Sequence, residues 1–275
     1  MGSCAKGEVI GVVGGMGPLA GARLVELITR LTPASCDQDH RDVLLVSTPG
    51  RISDRTDFLL GHSDENPAAA IAACVELLAH AGATCVGIAC NAAHAPPIWD
   101  AITDRLARRG CNVELLHLIE EACREVGALV PPGAKVGVLG TTGAIRSDVY
   151  GRVLRAGGFE VLYLDDFRQS EVHAAIYGLK SSLEVSARAS DLVTQAAWEL
   201  VDKGVRCVVL GCTDLHDALP VESLGGVPVV DPAVVMARCL IHRSTNPQGD
   251  VASPRRSVAT AASARPRQAG RPDFR

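Results

Sequence analysis

The sequence predicts an α/β protein with two pseudo-symmetric domains, each a mainly parallel sheet flanked by helices. Short runs rich in β-branched residues alternate with helical patterns along most of the 275 residues, as in right-handed strand–helix–strand units. The strand runs are almost continuously apolar, which is typical of sheets covered on both faces. An internal repeat divides the chain into two similar halves.

Strands and helices can be placed on the sequence in order. The strands are predicted at residues 9–13, 43–47, 85–89, 135–139, 160–164, 207–210 and 227–230. The helices are predicted at residues 19–31, 67–81, 182–202 and 232–240. Asn66 suits the N-cap of the second helix, and Pro67 suits its first turn.

Two landmarks recur in the same order in the two halves. Residues 11–18 (GVVGGMGP) resemble residues 137–144 (GVLGTTGA), and residues 86–94 (VGIACNAAH) resemble residues 208–216 (VVLGCTDLH). Glycine follows strands in many α/β proteins, so the first pair alone is weak. The second pair repeats a cysteine and a histidine at the same mutual spacing, which favours a duplication.

The repeat predicts three regions along the chain. Residues 1–113, completed by residues 228–242, are expected to form an N-terminal half-domain, and residues 114–227 a C-terminal one. Residues 243–275 contain seven arginines, two aspartates and no apolar periodicity. This composition predicts a disordered basic tail.

Composition and charge argue against several functional classes. The net charge of −4 argues against a nucleic-acid partner, because nucleic-acid binding draws on surplus positive charge. No apolar run reaches the ~18 residues of a membrane helix, and the first apolar run lacks a signal-peptide cleavage pattern. We therefore expect a cytoplasmic protein with no membrane partner. Its ten cysteines are expected to be free thiols, and no metal-ligand spacing occurs among them.

Cys90 and Cys212 differ from the other cysteines because each follows a predicted buried strand and precedes polar residues. Ligands of open α/β sheets bind at the carboxyl ends of the strands, so two facing half-domains would hold one thiol on each side of a cleft. Inversion of a stereocentre at Cα needs a base on one face and an acid on the other. A thiol, with a reference pKa of about 8.5, can serve as either.

Hydrogen-bond donors for the developing carbanion lie near both cysteines in the sequence. The glycine-rich turn with Met16 and Gly17 offers backbone N–H groups to an anion, although this pattern alone is weak. The candidate side-chain donors are Asn91, Thr141, Thr142 and Thr213. Donors aimed at the substrate carboxylate would stabilise the carbanion.

In combination, these segments resemble the aspartate/glutamate racemase superfamily, closest to its aspartate racemase and broader amino-acid racemase branch. The matching segments are GVVGGMGPLA at 11–20, DRT at 54–56, CNAAH at 90–94, GTTG at 140–143 and GCTD at 211–214. The resemblance implies an active site in the cleft between the two domains and a homodimer. It also implies an amino-acid racemase that uses two thiols and neither pyridoxal phosphate nor another cofactor.

The resemblance also assigns two basic residues to the substrate. Arg55 matches the arginine of the DRT segment, and Lys180 matches a lysine ahead of the second catalytic strand; in aspartate racemases both hold substrate carboxylates. A guanidinium fork fits a carboxylate through two hydrogen bonds. As isolated residues, both would more often be solvated surface charges. Together they predict a substrate with a side-chain carboxylate, with aspartate preferred over glutamate.

Several positions depart from the family pattern around the substrate. Ala92 stands where Thr is usual, Ser53 where Pro is frequent, and Asp214 where Glu is common. None of these departures removes a candidate catalytic group. Met16 and Ala92 are predicted to be walls of the pocket.

His94 and His216 each lie four residues after a candidate cysteine. One interpretation is that they tune the thiols. The interpretation we favour is that they support the site from behind, as caps of the following helices, and Asp214 is placed in the same supporting layer.

Other functions remain compatible with the sequence. Hydantoin racemases, maleate isomerases and arylmalonate decarboxylases of the same superfamily also place cysteine on a small acid. A non-catalytic small-acid binding protein would use the same carboxylate contacts, but it would not need two opposed thiols. The thiol pair together with Arg55 favours amino-acid racemisation.

Overall fold

The computed structural model describes residues 8–181 and 187–246 as two sheets flanked by helices. The strands are β1 (Val9–Gly14), β2 (Val43–Ser47), β3 (Ala83–Ile88), β4 (Glu114–Leu116), β5 (Lys135–Leu139), β6 (Glu160–Leu162), β7 (Cys207–Leu210), β8 (Ser223–Leu224) and β9 (Val227–Val230). The helices are α1 (Pro18–Leu31), α2 (Arg55–Leu59), α3 (Ala68–His80), α4 (Pro96–Arg108), α5 (Leu118–Leu129), α6 (Thr142–Arg146), α7 (Val149–Ala156), α8 (Asp166–Ser181), α9 (Ala187–Asp202), α10 (Leu215–Ala218) and α11 (Pro232–Thr245). None of the helices described here is long and apolar enough to cross a membrane.

The two sheets have matching topologies. The first has the order β2-β1-β3-β4 and is parallel throughout. The second has the order β6-β5-β7-β9-β8, in which the two-residue strand β8 is antiparallel to β9. The glycine turns follow β1 and β5, and the cysteine motifs follow β3 and β7, so both sequence landmarks occupy equivalent places in the two halves. The predicted α/β class with two similar sheets is confirmed.

The boundaries of the halves differ from the predicted ones at two strands. β4 was expected in the C-terminal half but pairs with β3 of the first sheet, with Glu114 beside Cys85. It has three residues and one buried side chain, so no apolar run marks it in the sequence. β9 was expected to complete the first half but pairs with β7, with Val229 beside Val208. Helix α11, in contrast, packs on α1 and β3 of the first half.

Helix α11 extends beyond the predicted start of the tail. Within its last turn, Ser244 is 1% exposed, and the Arg243 guanidinium lies 3.3 Å from the Glu114 carboxylate. These contacts hold the turn against the edge of the first sheet, so residues 243–245 belong to the fold. Residues 247–275 of the predicted tail lie outside the described residues, as do residues 182–186 of a predicted helix.

Glycines let two helices lie unusually close to the strands of the first sheet. A Cβ atom on Gly21 of α1 would lie 2.7 Å from the Gly14 Cα atom of β1. A Cβ atom on Gly87 of β3 would lie 2.9 Å from a methyl group of Leu240 on α11. The first contact is with backbone, which cannot move aside as a side chain can.

We predict that Gly21→Ala lowers the free energy of unfolding by roughly 1–3 kcal/mol, because overpacking against the β1 backbone cannot be relieved by a change of rotamer. Gly178→Ala on α8 is the matched control, since a Cβ atom there meets nothing within 4 Å and alanine favours a helix. Urea unfolding of both variants measures the difference. Undiminished stability of Gly21→Ala would contradict the close α1–β1 contact.

Candidate active site

Both candidate cysteines line one cavity between the two halves. It is a small cleft that is partly open to solvent. Its lining residues are Met16, Arg55, Thr56, Cys90, Asn91, Ala92, Thr141, Lys180, Gly211, Cys212 and Thr213. Most of them follow the carboxyl end of a strand, which is where open α/β sheets bind ligands. Of the predicted substrate contacts, Gly17 and Thr142 are absent from this lining, whereas Thr56 and Gly211 were not predicted.

Gly17 and Thr142 lie at the starts of helices instead. Gly17 is the N-cap residue of α1. The Thr142 N–H donates to Nδ1 of His173 at 3.2 Å, and its hydroxyl accepts from Nε2 of Gln169 at 3.5 Å. Both partners are on α8, so Thr142 faces that helix and not the cavity.

Cys90 lies beside a buried cation. The residue is 6% exposed, and it interacts electrostatically with the Arg55 guanidinium. Burial opposes the charge on Arg55, but Cys90 and the Asp54 carboxylate outweigh burial and raise the pKa of Arg55. Cys90 therefore has a buried guanidinium as its charged neighbour.

Cys212 lies beside a carboxylate instead. Its thiol, in a residue that is 7% exposed, donates to the Asp214 carboxylate at 3.4 Å. Burial, together with Asp214, raises the pKa of Cys212 to about 12, although Lys180 partly opposes the shift. Burial also raises the pKa of Asp214, against the pull of Lys180. These surroundings suit the neutral, proton-donating member of the pair.

Arg55 and Lys180 place two cations at the cavity. Arg55 donates to the carbonyl oxygens of Ser53 at 3.1 Å and Met16 at 3.3 Å, and its buried Nε has no partner among the described residues. Burial opposes the charge on Lys180, yet Cys212, Asp214 and Cys90 together raise its pKa. In the part of the chain that the structure describes, neither cation forms an ion pair with a carboxylate.

Asp54 and Tyr177 join the segments that carry the two cations. The Asp54 carboxylate caps α2 by accepting from the N–H groups of Thr56 at 2.7 Å and Asp57 at 3.0 Å. It also accepts from the Tyr177 hydroxyl of α8, 3.1 Å from each carboxylate oxygen. The Lys180 ammonium lies 5.0 Å from the centre of the Tyr177 ring. Sequence reasoning missed Tyr177, although its spacing from Lys180 places both on one face of a helix.

Asn91 is held by a tyrosine of the opposite half. The buried Tyr150 hydroxyl of α7 donates to Oδ1 of Asn91, while Nδ2 of Asn91 is buried and has no partner among the described residues. Thr141 also has a structural contact, because its hydroxyl accepts from the Ala144 N–H at the start of α6. No sequence signal pointed to Tyr150.

His94 supports the backbone at Cys90. It is 2% exposed, its Nδ1 lies 2.8 Å from the Cys90 carbonyl oxygen, and its ring stacks on Trp99. Burial and the neighbouring His117 lower the pKa of His94 to about 3. A ring that stays neutral is suited to holding the cysteine loop and not to transferring protons near neutral pH.

His216 lies away from the two thiols. Its Nδ1 is 2.9 Å from the Asp231 carboxylate, and both residues line a larger, more open groove beside α5, β9 and α11. That groove contains neither candidate cysteine. No group of three or more His, Cys, Asp or Glu side chains among residues 8–181 and 187–246 is arranged to hold a metal ion.

Comparison with known proteins identifies the family. The family model described as Asp/Glu/Hydantoin racemase matches residues 13–240, which is most of the chain. This protein therefore belongs to that family, and the resemblance seen in the motifs is confirmed. The match includes both cysteine motifs and both basic residues of the cavity.

Individual relatives agree with this assignment. The broad specificity amino-acid racemase RacX of Bacillus subtilis (strain 168) is 27% identical over 241 residues, or 85% of this chain and 96% of the relative. The Picrophilus torridus aspartate racemase is 25% identical, with a TM-score of 0.74 over 87% of this chain and 95% of that one. The Francisella tularensis glutamate racemase, solved with D-glutamate, shares the fold at 17% identity and a TM-score of 0.63, over 88% of this chain and 82% of that one.

We predict that folding stability falls as the pH drops below about 6.5. Burial lowers the folded-state pKa of His94 to about 3 and that of His117 to about 4, so the unfolded chain takes up protons first. The free energy of unfolding is therefore highest above about pH 6.5, the pKa of histidine in the unfolded chain. It decreases as the pH falls from there toward the folded-state pKa values. Between pH 7 and pH 5 the loss is about 2 kcal/mol per histidine.

His117→Asn is the variant that tests this pH dependence. Asparagine keeps an acceptor for the Glu120 N–H that Nδ1 of His117 now caps, and it does not titrate. Urea unfolding measures the free energy of unfolding at pH 7 and pH 5. In the variant, the decrease between these two pH values should be smaller by the contribution of one histidine, about 2 kcal/mol. An unchanged slope would show that His117 titrates normally in the folded protein.

Proposed function

We propose that this protein is a cofactor-independent racemase that interconverts the L and D forms of amino acids with a side-chain carboxylate, aspartate before glutamate. The observation that carries the proposal is that Cys90 from one half and Cys212 from the other line a single small cavity. Membership of the Asp/Glu/hydantoin racemase family supports it.

The proposed reaction moves one proton off Cα and another onto it. A Cys90 thiolate takes the Cα proton of one enantiomer and becomes a thiol. The Cys212 thiol gives its proton to the opposite face of the carbanion and becomes a thiolate, so the configuration inverts. The reverse reaction exchanges the two roles. Cys212 is suited to begin as the proton donor, because burial and Asp214 raise its pKa and its thiol donates to the Asp214 carboxylate.

The carbanion intermediate needs donors fixed before the reaction begins. Negative charge developing at Cα spreads onto the α-carboxylate, and preorganised hydrogen bonds to that group lower the barrier. Asn91 offers a buried Nδ2 without a partner among the described residues. Thr141 and Thr213 also line the cavity.

The two cations support an acidic substrate. Arg55 and Lys180 are charged, lie mostly out of water, and have no carboxylate in an ion pair among the described residues. Asp54 and Asp214 act on these cations from beyond ion-pair distance. Direct ion pairs with a ligand that has two carboxylates would stabilise the buried charges further. Aspartate carries its two carboxylates closer together than glutamate does, as suits two cations that line one small cavity.

A second candidate is a racemase with a wider range of amino acids, and Asp214 favours it. The Asp214 carboxylate is buried beside Lys180 and offsets one of the two cations. A cysteine thiolate would offset the charge of the other cation, Arg55. The cavity would then also tolerate a substrate with a neutral side chain. The Bacillus subtilis relative is named a broad specificity amino-acid racemase, which agrees with this alternative.

We further propose that the enzyme works as a homodimer in the cytoplasm. The described cysteines are all free thiols, as is usual in a reducing compartment. Sedimentation of the purified protein tests the dimer.

Cys90→Ser and Cys212→Ser should each abolish racemisation, because a serine hydroxyl is too weak an acid to replace a thiol near neutral pH. With one thiol left, exchange of the Cα hydrogen in D₂O without inversion can survive, and the two variants should then favour opposite enantiomers. Cys36→Ser is the control, since this thiol is exposed and outside the cavity. Full racemase activity in either variant would remove that cysteine from the mechanism.

The proposed independence from cofactors is tested on the wild-type enzyme. Loss of its activity on treatment with EDTA or hydroxylamine would contradict cofactor independence.

Arg55→Ala should raise KM for aspartate by about ten- to a hundredfold, because it removes charge-assisted hydrogen bonds to a carboxylate. Arg51→Ala is the matched control, since Arg51 is exposed and does not line the cavity. Steady-state kinetics of both variants on aspartate, glutamate, alanine and lysine provide the measurement. Wild-type turnover of alanine and lysine as fast as aspartate would favour the second candidate.

A further inference from the structure

We propose that Tyr150 is a positioning residue that orients the Asn91 amide so that its N–H groups face the substrate carboxylate. This inference rests on the proposed function, because it assigns a carboxylate to the cavity. Tyr150 itself does not line the cavity, so it acts through Asn91.

The contact crosses from one half of the molecule to the other. Tyr150 lies on α7 of the second half and is almost completely buried, whereas Asn91 follows Cys90 at the end of β3 in the first half. The Tyr150 hydroxyl donates to Oδ1 of Asn91. Nδ2 of Asn91 is buried, lacks a partner among the described residues and belongs to a residue that lines the cavity. A buried amide nitrogen without a partner is unusual and points to a ligand that supplies the acceptor.

The direction of the hydrogen bond follows from what each group can offer. Burial raises the pKa of Tyr150 well above its usual value, so its oxygen keeps a proton and needs an acceptor. No other acceptor for that proton is found among the described residues. If the amide were reversed, the Tyr150 proton would be buried unpaired, and Oδ1 of Asn91 would face an anion. Donation by Tyr150 avoids both costs and leaves the amide N–H groups free.

Tyr150 is also in contact with the segment that carries the other thiol. A Cβ atom on Gly211 would lie 3.2 Å from Cε2 of the Tyr150 ring and 2.7 Å from the Leu139 carbonyl oxygen. Glycine before Cys212 therefore leaves room for the tyrosine ring. The Tyr150 side chain therefore contacts both the Asn91 amide, which follows Cys90, and the loop that carries Cys212.

The test uses Tyr150→Phe, Asn91→Ala and the double variant, with Tyr163→Phe as the matched control. The Tyr163 hydroxyl donates to the Asp148 carboxylate at 2.9 Å next to the start of α7, and neither residue lines the cavity. Tyr163→Phe removes this hydrogen bond, so it measures how much succinate binding changes when only the packing of α7 is disturbed. The probe is succinate, a dicarboxylate with no α-amino group and no stereocentre to invert, and its Kd is measured by calorimetry.

Tyr150→Phe and Asn91→Ala should each weaken succinate binding by about ten- to a hundredfold, as for a lost hydrogen bond to a charged group. The double variant should bind no worse than Asn91→Ala, because both changes remove one interaction. Tyr163→Phe should bind within about twofold of wild type. With aspartate, Tyr150→Phe should raise KM and also lower kcat, because the hydrogen bond from Asn91 to the carboxylate exists in the ground state and strengthens as negative charge spreads onto that group.

Additive losses in the double variant, or unchanged binding by Tyr150→Phe beside weakened binding by Asn91→Ala, would overturn the role of Tyr150. If Tyr150→Phe does not fold, Asn91→Asp carries the test. Its carboxylate would keep one oxygen on Tyr150 and turn the other toward succinate, so binding should be weaker than in Asn91→Ala. Binding as tight as in Asn91→Ala would overturn the proposal.

The outcomes also separate this inference from the proposed function. A wild-type protein that binds succinate through Tyr150 and Asn91 but racemises no amino acid would remove the racemase and keep the positioning role. If the wild-type protein racemises amino acids but the double variant shows additive losses of succinate binding, the proposed function stands and the role of Tyr150 does not. A wild-type protein that binds no succinate would overturn the carboxylate site and the positioning role together.

Discussion

Two sulfurs can reach opposite faces of one carbon only if the ends of the two sheets are held against each other, and the cavity depends on the contacts that hold them. Asp54 and Tyr177 form one such contact, and Asn91 and Tyr150 form another. Close backbone packing adds a third, since a Cβ atom on Gly143 would lie 2.8 Å from the Thr56 Cα atom. Each contact joins a residue of the first half to one of the second.

The chemistry of racemisation is symmetric, but the surroundings of the two thiols are not. An arginine lies beside Cys90 and an aspartate beside Cys212. The fold repeats its strands and cysteines faithfully, and the residues that surround each sulfur have diverged. The repeat therefore places the two cysteines at equivalent positions, while the charged neighbours of the two sulfurs differ.

Much of this arrangement could be predicted because it is local in sequence. Cys90 and Cys212 directly follow apolar strands, so their positions near the cavity follow from the strands alone. Arg55 was assigned to the substrate only because the short DRT segment resembles the family motif. Tyr150 and Tyr177 could not be found in this way, because their partners Asn91 and Asp54 are distant in the chain. β4 escaped notice because a three-residue edge strand carries little periodicity, and the site of β9 depends on strand pairing that no local pattern specifies.

The path of the chain from β9 to α11 has a consequence for synthesis on the ribosome. Domains generally fold in order as they emerge, yet the first sheet obtains one of its covering helices from α11, whose Leu240 lies against Gly87. Until that helix has been made, the face of β3 that it covers stays open to water. The N-terminal half therefore completes its hydrophobic layer only after the C-terminal half has been translated.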